Sequence, residues 1–373
     1  MRRAAFVAAM ACLVAACGGA PERAGGGGAG GGAGSGGSGG ASYDGPPIPW
    51  TYAPFPALEV PSDDPTTDAK VRLGSLLFYD PILSSDDQVA CSTCHSENWG
   101  MGDGLPLSVG VEGTGPVGPG RTGPNLTTRN ALTLWNAAYR TALFWDGRAP
   151  TLELQALQPM KHANEMDQPA SAGAARVAKV VGYAKLFAQA FPGEAEPVTA
   201  KNVTRALASF ERTLVTNHAP YDQYVAGDAG AMAPEEKRGM QAFADGGCAS
   251  CHVPPLFSSD AYFKRFESAD PGRSSVTGDP ADEGAFRVPT LRNLRDTGPY
   301  FHDGSVVDLE RAIRDELDRD VARGHAPEMS EARTRDLVAF VYSALVDRSH
   351  DPTRPKHVPS GLPVPVDGDR IQR

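Results

Sequence analysis

Residues 91–95 read Cys-Ser-Thr-Cys-His, and residues 248–252 read Cys-Ala-Ser-Cys-His. Two cysteines three positions apart can form thioether bonds with the two vinyl groups of one haem, and a histidine directly after them then lies beneath the iron as its proximal ligand. Because the pattern occurs twice, the sequence predicts two covalently bound c-type haems. The predicted attachment and iron-ligand residues are Cys91, Cys94 and His95 for the first haem and Cys248, Cys251 and His252 for the second.

Zinc is the alternative ligand for paired cysteines, because each Cys-x-x-Cys could supply half of a four-thiolate site. The halves of such sites usually lie about 15–20 residues apart, whereas most of a domain separates Cys94 from Cys248. Zinc would also leave the histidine after each pair without a role. The spacing therefore favours haem.

The N-terminal residues predict export from the cytoplasm. Two arginines follow Met1, and the apolar run from residue 4 to residue 16 is too short to span a bilayer, so residues 1–16 are typical of a signal peptide. The run ends in Val-Ala-Ala before Cys17, which resembles a bacterial lipoprotein cleavage box. We expect a periplasmic protein whose only membrane attachment is a lipid on Cys17; ordinary secretion with cleavage near Ala16 is the alternative.

Both ends of the exported chain are predicted to be extended. Residues 17–56 are expected to form a flexible tether, because residues 25–42 are almost all Gly, Ser and Ala and cannot bury enough apolar surface to fold. Residues 348–373 are rich in proline and charge and are expected to form an extended surface tail. The formal net charge of −10 argues against a nucleic-acid partner, which requires a basic face.

The body between these ends is predicted to contain two domains, residues 57–215 and 216–347, each with one haem run. Apolar residues recur at helical spacing after Thr66, between residues 203 and 214, and from residue 337 behind Ser330, a typical helix cap. No sustained alternation of apolar and polar residues indicates a sheet. The predicted class is all-α, with long irregular loops. The Gly- and Pro-rich segments expected to form these loops are residues 110–124 and 258–284.

Five further strings support a relationship to a known family. They are residues 73–80 (Leu-Gly-Ser-Leu-Leu-Phe-Tyr-Asp), 129–130 (Arg-Asn), 144–148 (Phe-Trp-Asp-Gly-Arg), 288–293 (Val-Pro-Thr-Leu-Arg-Asn) and 298–304 (Gly-Pro-Tyr-Phe-His-Asp-Gly). In content and order they resemble the bacterial di-haem cytochrome c peroxidase family, which includes the MauG-type enzymes. The resemblance implies two all-α cytochrome c-like domains, with both haems facing one interface and a calcium ion between them.

The resemblance also implies roles for three residues near the first haem. Trp145 matches the tryptophan that lies between the two haems in the family, Gln155 matches a distal-pocket glutamine, and Glu165 matches the catalytic glutamate. On one straight helix Gln155 and Glu165 would face different directions, but we expect Pro159 to break the helix and allow Glu165 to fold back. Without the resemblance, Gln155 and Glu165 would read as surface residues and Trp145 as core.

A calcium site and a buried histidine complete what the resemblance implies. Asn130, Thr297 and Pro299 match the family's calcium site, the last two through backbone carbonyls, and calcium accepts such oxygen ligands in irregular geometry. His302 is expected to be a buried hydrogen-bonding residue near the second haem, not an iron ligand.

Two departures from the family pattern bear on the subtype. Many family peroxidases carry a histidine before Arg129 that caps the first iron, but residues 96–129 contain none. We therefore expect an open first iron that needs no reductive activation.

At the second haem, Glu316 occupies the position where peroxidases supply methionine and MauG-type enzymes supply tyrosine. Glu316 could ligate the iron or face solvent on a helix over residues 309–317; Met329 is the other candidate, although its place before Ser330 suits a hydrophobic staple.

Three functions follow. The first is a peroxidase that reduces hydrogen peroxide to water at the first haem, with electrons passed through the second haem from a small donor such as a cytochrome c or a cupredoxin. The second is a MauG-like oxidase that uses peroxide to oxidise tryptophan or tyrosine side chains of a partner protein. The third is a non-catalytic electron-transfer cytochrome, which gives Glu165 no role.

Overall fold

The computed structural model describes residues 48–50, 53, 55–265, 268–349 and 352–369. The predicted signal peptide, the lipid site at Cys17 and the Gly-rich part of the tether lie outside the described residues. None of the helices in the described part of the chain combines the length and the apolar character needed to cross a bilayer.

The described chain is mostly helical, as predicted. Its α-helices are α1 (Asp68–Phe78), α2 (Cys91–Cys94), α3 (Leu152–Lys161), α4 (Ala170–Val177), α5 (Val181–Ala190), α6 (Ala200–Glu211), α7 (Pro220–Val225), α8 (Pro234–Asp245), α9 (Ser274–Thr277), α10 (Leu309–Ala322) and α11 (Glu331–Ala339). A π-helical turn, Phe340–Ala344, continues α11. Short 3₁₀-helices lie at Pro81–Leu83, Glu97–Trp99, Ala137–Tyr139, Cys248–Ser250, Pro280–Asp282 and Leu294–Asp296.

The expectation that no sheet forms needs a small correction. Strands β1 (Tyr262–Lys264) and β2 (Ala285–Arg287) pair antiparallel, with Tyr262 opposite Arg287. Three residues are too few to show the alternation that indicates a strand, and every residue of β2 is buried. The segment 258–284, expected to be a loop, therefore contains β1 and the one-turn helix α9.

The first hydrophobic cluster is built on the crossing of α1 and α6. Thr67 caps α1, its side chain accepting a hydrogen bond from the Lys70 N–H, so the predicted start of this helix is confirmed. Gly74 lies at the crossing, where a Cβ atom would come within 1.9 Å of the Ala206 carbonyl oxygen. The cluster's buried members lie between Leu73 and Leu214, joined by Val358 from the C-terminal tail.

The second cluster repeats this arrangement with α8 and α11. Ser330 caps α11, as predicted, by accepting a hydrogen bond from the Arg333 N–H. A Cβ atom on Gly239 would again come within 1.9 Å of a carbonyl oxygen, that of Asp336. The buried members lie between Tyr221 and Leu345. Each cluster thus depends on one glycine that lets two helices approach at backbone distance.

The C-terminal tail is extended but is fastened to the first cluster. Val358 is buried there, and the Arg354 guanidinium donates to both carboxylate oxygens of Glu97 at 2.8 and 3.0 Å. Ser360 Oγ donates to Asp80 Oδ1 at 2.7 Å. The tail's irregular backbone follows from its prolines, whereas its docking depends on contacts that no local pattern reveals.

Replacing Gly74 or Gly239 by Ala should lower the stability of the protein. The new methyl group would overlap a backbone carbonyl and force the helices apart, so we expect a loss of about 1–3 kcal/mol or more in the free energy of unfolding. Urea denaturation measures this loss. Gly230→Ala is the control, since its Cβ would meet only an Asp228 side-chain oxygen at 3.3 Å. Equal stabilities of all three variants would contradict the role of the crossings.

Candidate active site

The first predicted proximal histidine is held by a backbone carbonyl. The single turn of α2 carries Cys91 and Cys94, and His95 follows it directly. The Nδ1 atom of His95 lies 3.0 Å from the Met101 carbonyl oxygen. When Nδ1–H donates to that oxygen, Nε2 keeps its lone pair for a metal. Burial lowers the pKa of His95, which favours the neutral, ligating form.

His252 is held in the same way. Its Nδ1 atom lies 3.1 Å from the Pro289 carbonyl oxygen and 3.3 Å from that of Phe257. Burial is the largest cause that lowers the pKa of His252, to about 4. Both Cys-x-x-Cys-His runs therefore present a neutral imidazole with Nε2 available, as axial haem ligation requires.

The cysteines do not form a zinc site among the described residues. No three side chains of His, Cys, Asp or Glu converge there into a metal-binding group. Cys91 packs against the first cluster and Cys248 against the second. Burial raises the pKa of both thiols to about 12. The geometry supports haem attachment instead.

A cavity of about 390 Å³ adjoins the first run. Cys91, Cys94 and His95 line it together with Trp145, Gln155 and Glu165. Its volume falls within the range of about 300–1,000 Å³ typical of cofactor and ligand pockets. A haem fits this lining, with two thiols for thioether bonds and one imidazole for the iron. The three residues singled out by family resemblance are thus brought to one cavity.

Glu165 reaches the cavity through a turn after α3, but Pro159 does not break the helix as expected. Helix α3 contains Pro159 and ends two residues later at Lys161. The chain then reverses, because the Met166 N–H donates to the Pro159 carbonyl and the Glu165 N–H donates to the His162 carbonyl. The Glu165 carbonyl in turn accepts the Val111 N–H at 2.9 Å. The predicted return of Glu165 is confirmed, with its cause in this turn.

The environment of Glu165 favours its protonated form. Burial raises the pKa of its carboxyl, opposed by His162 and Arg148. His162 Nδ1 lies 3.5 Å from Glu165 Oε1, and both side chains line the cavity. Sequence reasoning missed His162, which carries no family motif of its own. A partly buried carboxyl beside a histidine can exchange protons with a molecule in the cavity.

Trp145 lies in the cavity wall. Its indole N–H donates to the Asn130 carbonyl at 3.0 Å, and its ring makes edge contacts with Phe286 and His302. The Trp145 carbonyl accepts the Arg287 N–H at 2.8 Å. Arg287 is two residues before Pro289, whose carbonyl holds His252. The backbone of Trp145 is therefore bonded to the segment that holds His252, and its side chain lines the same cavity as His95.

The residues expected to bind calcium are engaged with other protein groups. The Asn130 amide N–H donates to the Leu105 carbonyl at 2.9 Å. Thr297 Oγ1 donates to the Leu294 carbonyl at 3.0 Å, and the Gly298–Pro299 peptide is cis. These contacts leave three oxygens of the type that calcium binds, namely the Asn130 side-chain oxygen and the carbonyl oxygens of Thr297 and Pro299. The calcium site stays a prediction.

The candidates for the second haem's other axial ligand differ in surroundings. Glu316 lies on α10, which runs beyond the expected end to Ala322, and its carboxylate pairs with Arg265 at 2.7 Å and Arg319 at 2.8 Å. The Met329 methyl group and the Cys248 sulfur both lie close to Gly246. A carboxylate held by two guanidiniums would have to leave them to ligate iron. Which residue ligates stays a prediction.

His302 is buried and hydrogen-bonded, as expected; its position near the second haem stays a prediction. Its ring is buried, stacks on Phe286 at 4.0 Å and has Nε2 within 3.2 Å of Ser268 Oγ.

Sequence reasoning missed two other residues of the cavity wall, Arg140 and Arg287. Arg287 directly precedes the string at residues 288–293, which is the one signal that could have identified it.

Comparisons with known proteins agree with this geometry. The sequence model described as "Di-haem cytochrome c peroxidase" matches residues 68–230. "Methylamine utilization protein MauG" of Methylorubrum extorquens is 40% identical over 292 residues, covering 75% of this chain and 79% of that protein. "Cytochrome c551 peroxidase" of Pseudomonas aeruginosa is 35% identical over 289 residues, covering 75% and 79%. The crystal structure of a MauG-like protein associated with microbial copper homeostasis superposes with a TM-score of 0.66 at 28% identity, covering 83% of this chain and 96% of that one.

Replacing both cysteines of one run by Ala should remove one covalent haem and leave the other. Each run supplies its own thioethers, so the Cys91→Ala/Cys94→Ala and Cys248→Ala/Cys251→Ala variants should each lose the mass of one haem. Mass spectrometry of the denatured chain, with a pyridine haemochrome assay, measures the haem count. Bound zinc in the purified protein, or loss of both haems from either variant, would contradict separate haem sites.

Proposed function

The chain belongs to the di-haem cytochrome c peroxidase family, and we propose that it reduces hydrogen peroxide to two waters beside His95, using two electrons and two protons. The observation that carries this proposal is the convergence of Gln155 and Glu165 on the cavity that His95 lines. A plain electron-transfer cytochrome needs neither residue there.

A haem bound through Cys91, Cys94 and His95 would supply the redox-active iron that peroxide reduction needs. Glu165 would carry the proton chemistry: its carboxylate would accept a proton from one oxygen of peroxide and deliver it to the other, which leaves as water. Burial raises the pKa of this carboxyl toward neutral pH, where both of its protonation states are then more evenly populated. The Gln155 amide, on the same wall, orients peroxide by hydrogen bonding.

Electrons reach this cavity from the second run. The His252 site lies on the second cluster, and Trp145 joins the two surroundings through its bond to Arg287. We assign to Trp145 the relay between the two haems. The donor is a small redox protein, of the cytochrome c or cupredoxin class, that docks near the second haem.

A MauG-like oxidase is the second candidate. It is supported by the 40% identity to a MauG protein and by Glu316, where peroxidases of the family supply methionine. In that function the two electrons come from tryptophan or tyrosine side chains of a partner protein. Steady turnover with a reduced cytochrome supports the peroxidase; oxidation of a partner without any cytochrome supports the second function.

The cellular setting and the calcium ion belong to the same proposal. Covalent haem attachment occurs outside the cytoplasm, so a periplasmic location with a lipid on Cys17 suits the cofactors. A calcium ion held by Asn130, Thr297 and Pro299 would fix residues near Trp145, because the Trp145 indole donates to the Asn130 carbonyl.

Glu165→Gln should slow peroxide turnover by about two to four decades, the usual contribution of general acid–base catalysis. Because the carboxylate must accept the first proton, the rate of the wild type should fall as pH drops through the pKa of Glu165, which burial raises above its ordinary value. Stopped-flow kinetics of peroxide consumption against pH measures both effects. The variant should lose this acid limb.

Asp167→Asn is the matched control for that experiment. Asp167 lies in the same turn but is exposed, and asparagine tolerates its positive φ of 46°. Its rate and pH profile should equal those of the wild type. A Glu165→Gln variant that turns over at the wild-type rate would reject the proton role.

The as-isolated diferric protein should show one high-spin and one low-spin ferric signal in electron paramagnetic resonance. The reason is that residues 96–129 supply no histidine to the first iron. Fluoride, which binds open ferric sites, should alter the high-spin signal alone. Two low-spin signals would mean that a side chain closes the first site, and constitutive activity would be ruled out.

A further inference from the structure

Two buried guanidinium groups in the cavity wall have too little negative charge around them. Arg287 is 6% exposed, and its Nε–H donates to the Phe144 carbonyl at 3.3 Å. Its Nη1 is buried and has no hydrogen-bond partner among the described residues. No carboxylate of the described chain forms an ion pair with it. Burying such a charge is strongly unfavourable unless an anion accompanies it.

Arg140 is the second of these groups. Its side chain is 7% exposed, and the nearest carboxylate oxygen is Asp260 Oδ1, 3.7 Å from Nη1 and beyond hydrogen-bond distance. The other oxygen of Asp260 accepts the N–H and the hydroxyl of Thr141 at 3.2 and 2.5 Å. Burial, together with neighbouring Arg287, lowers the pKa of Arg140 to about 9. Asp260 alone thus faces two guanidiniums.

The other two arginines of the same cavity are compensated. Arg129 pairs with Asp146 and Asp270, both at 2.6 Å, and Arg148 pairs with Asp146 at 3.0 Å. The excess positive charge is therefore confined to the part of the wall formed by Arg140 and Arg287.

We propose that Arg140 and Arg287 form a carboxylate-binding site that holds a haem propionate at the boundary between the two haem sites. The inference rests on the two covalent haems of the proposed function. Each haem carries two propionates, which the thioethers do not use, and the planar guanidinium fork matches a carboxylate. Pro289 lines the same cavity and its carbonyl holds His252, so this wall adjoins both sites.

The site can take a propionate from either haem. The haem whose reduction potential responds to the loss of an arginine is the one that supplies the bound propionate. A cationic pair beside a propionate cancels negative charge near that haem and so favours the reduced iron. Removing one guanidinium should make the affected haem harder to reduce. An arginine without a bound propionate would also alter the potential of a nearby haem, but its removal would raise the Tm, because it is then an uncompensated buried charge. The potential and the Tm are therefore read together.

Arg287→Gln and Arg140→Gln should each lower the reduction equilibrium constant of one haem about tenfold, equal to about 59 mV for one electron. Spectroelectrochemical titration of the holoprotein, after its two haems have been counted, measures both potentials. The haem whose potential falls is the one whose propionate is bound. Both variants should also have a lower Tm, because each leaves the propionate buried with less compensation.

Arg148→Gln is the matched control, since Arg148 lines the same cavity but is already paired with Asp146. The change in reduction potential in this control should be less than about a third of the change in the two test variants. Arg287→Lys keeps the charge and should retain most of the wild-type potential; it also serves if Arg287→Gln fails to fold.

Three outcomes would overturn the carboxylate site. Unchanged potentials in both haems would assign the arginines a structural role, and a raised Tm would show that an uncompensated charge had been removed. Wild-type potentials that vary with phosphate concentration at constant ionic strength would identify a dissolved anion instead. None of these outcomes depends on peroxide turnover, whereas a haem count below two would instead contradict the proposed function.

Discussion

The hydrogen bond from a histidine Nδ1 to a backbone carbonyl is the interaction on which the functional part of this molecule depends. It fixes the tautomer of His95 and of His252 and aims Nε2 away from the backbone. For His95 the acceptor is Met101, which follows Gly100; both have positive φ, near 60°. A Cβ on Gly100 would come within 2.9 Å of the Asp296 backbone, so the turn that orients the first imidazole rests on the chain's second half.

The two halves of the described chain position their histidines through similar helix packing. In each, a helix preceding the Cys-x-x-Cys-His run crosses a later helix at a glycine, and a phenylalanine four residues beyond the contacted carbonyl closes the crossing. The phenylalanines are Phe210 in the first half and Phe340 in the second. The crossing holds the helix ends so that the following cysteines are presented at the edge of a cluster. What differs between the two halves is the set of polar groups around each histidine.

Local patterns predicted the local features well. The cysteine runs, the Thr67 and Ser330 caps and the main helices depend on residues close in sequence, and all are present. Pro159 was expected to end α3, but the helix tolerates it near its C-terminus, and the following turn reverses the chain. The docking of the tail and the convergence of Arg140 with Arg287 join residues far apart in sequence, which no periodicity encodes. Glu165 was found only because a family motif carries such long-range information.

Different polar groups surround the two Cys-x-x-Cys-His runs. Around His95 the cavity offers the Gln155 amide, which forms hydrogen bonds, and the Glu165 carboxyl, which can accept and release a proton and whose pKa is raised by burial. Around His252 the nearby charges include Arg140 and Arg265, which disfavour any further positive charge. Arg265 is itself paired with Glu316 and Asp320, each at 2.7 Å. Peroxide reduction requires protons delivered where oxygen departs. The proposed function therefore places peroxide reduction beside His95, where the Glu165 carboxyl can accept and release a proton.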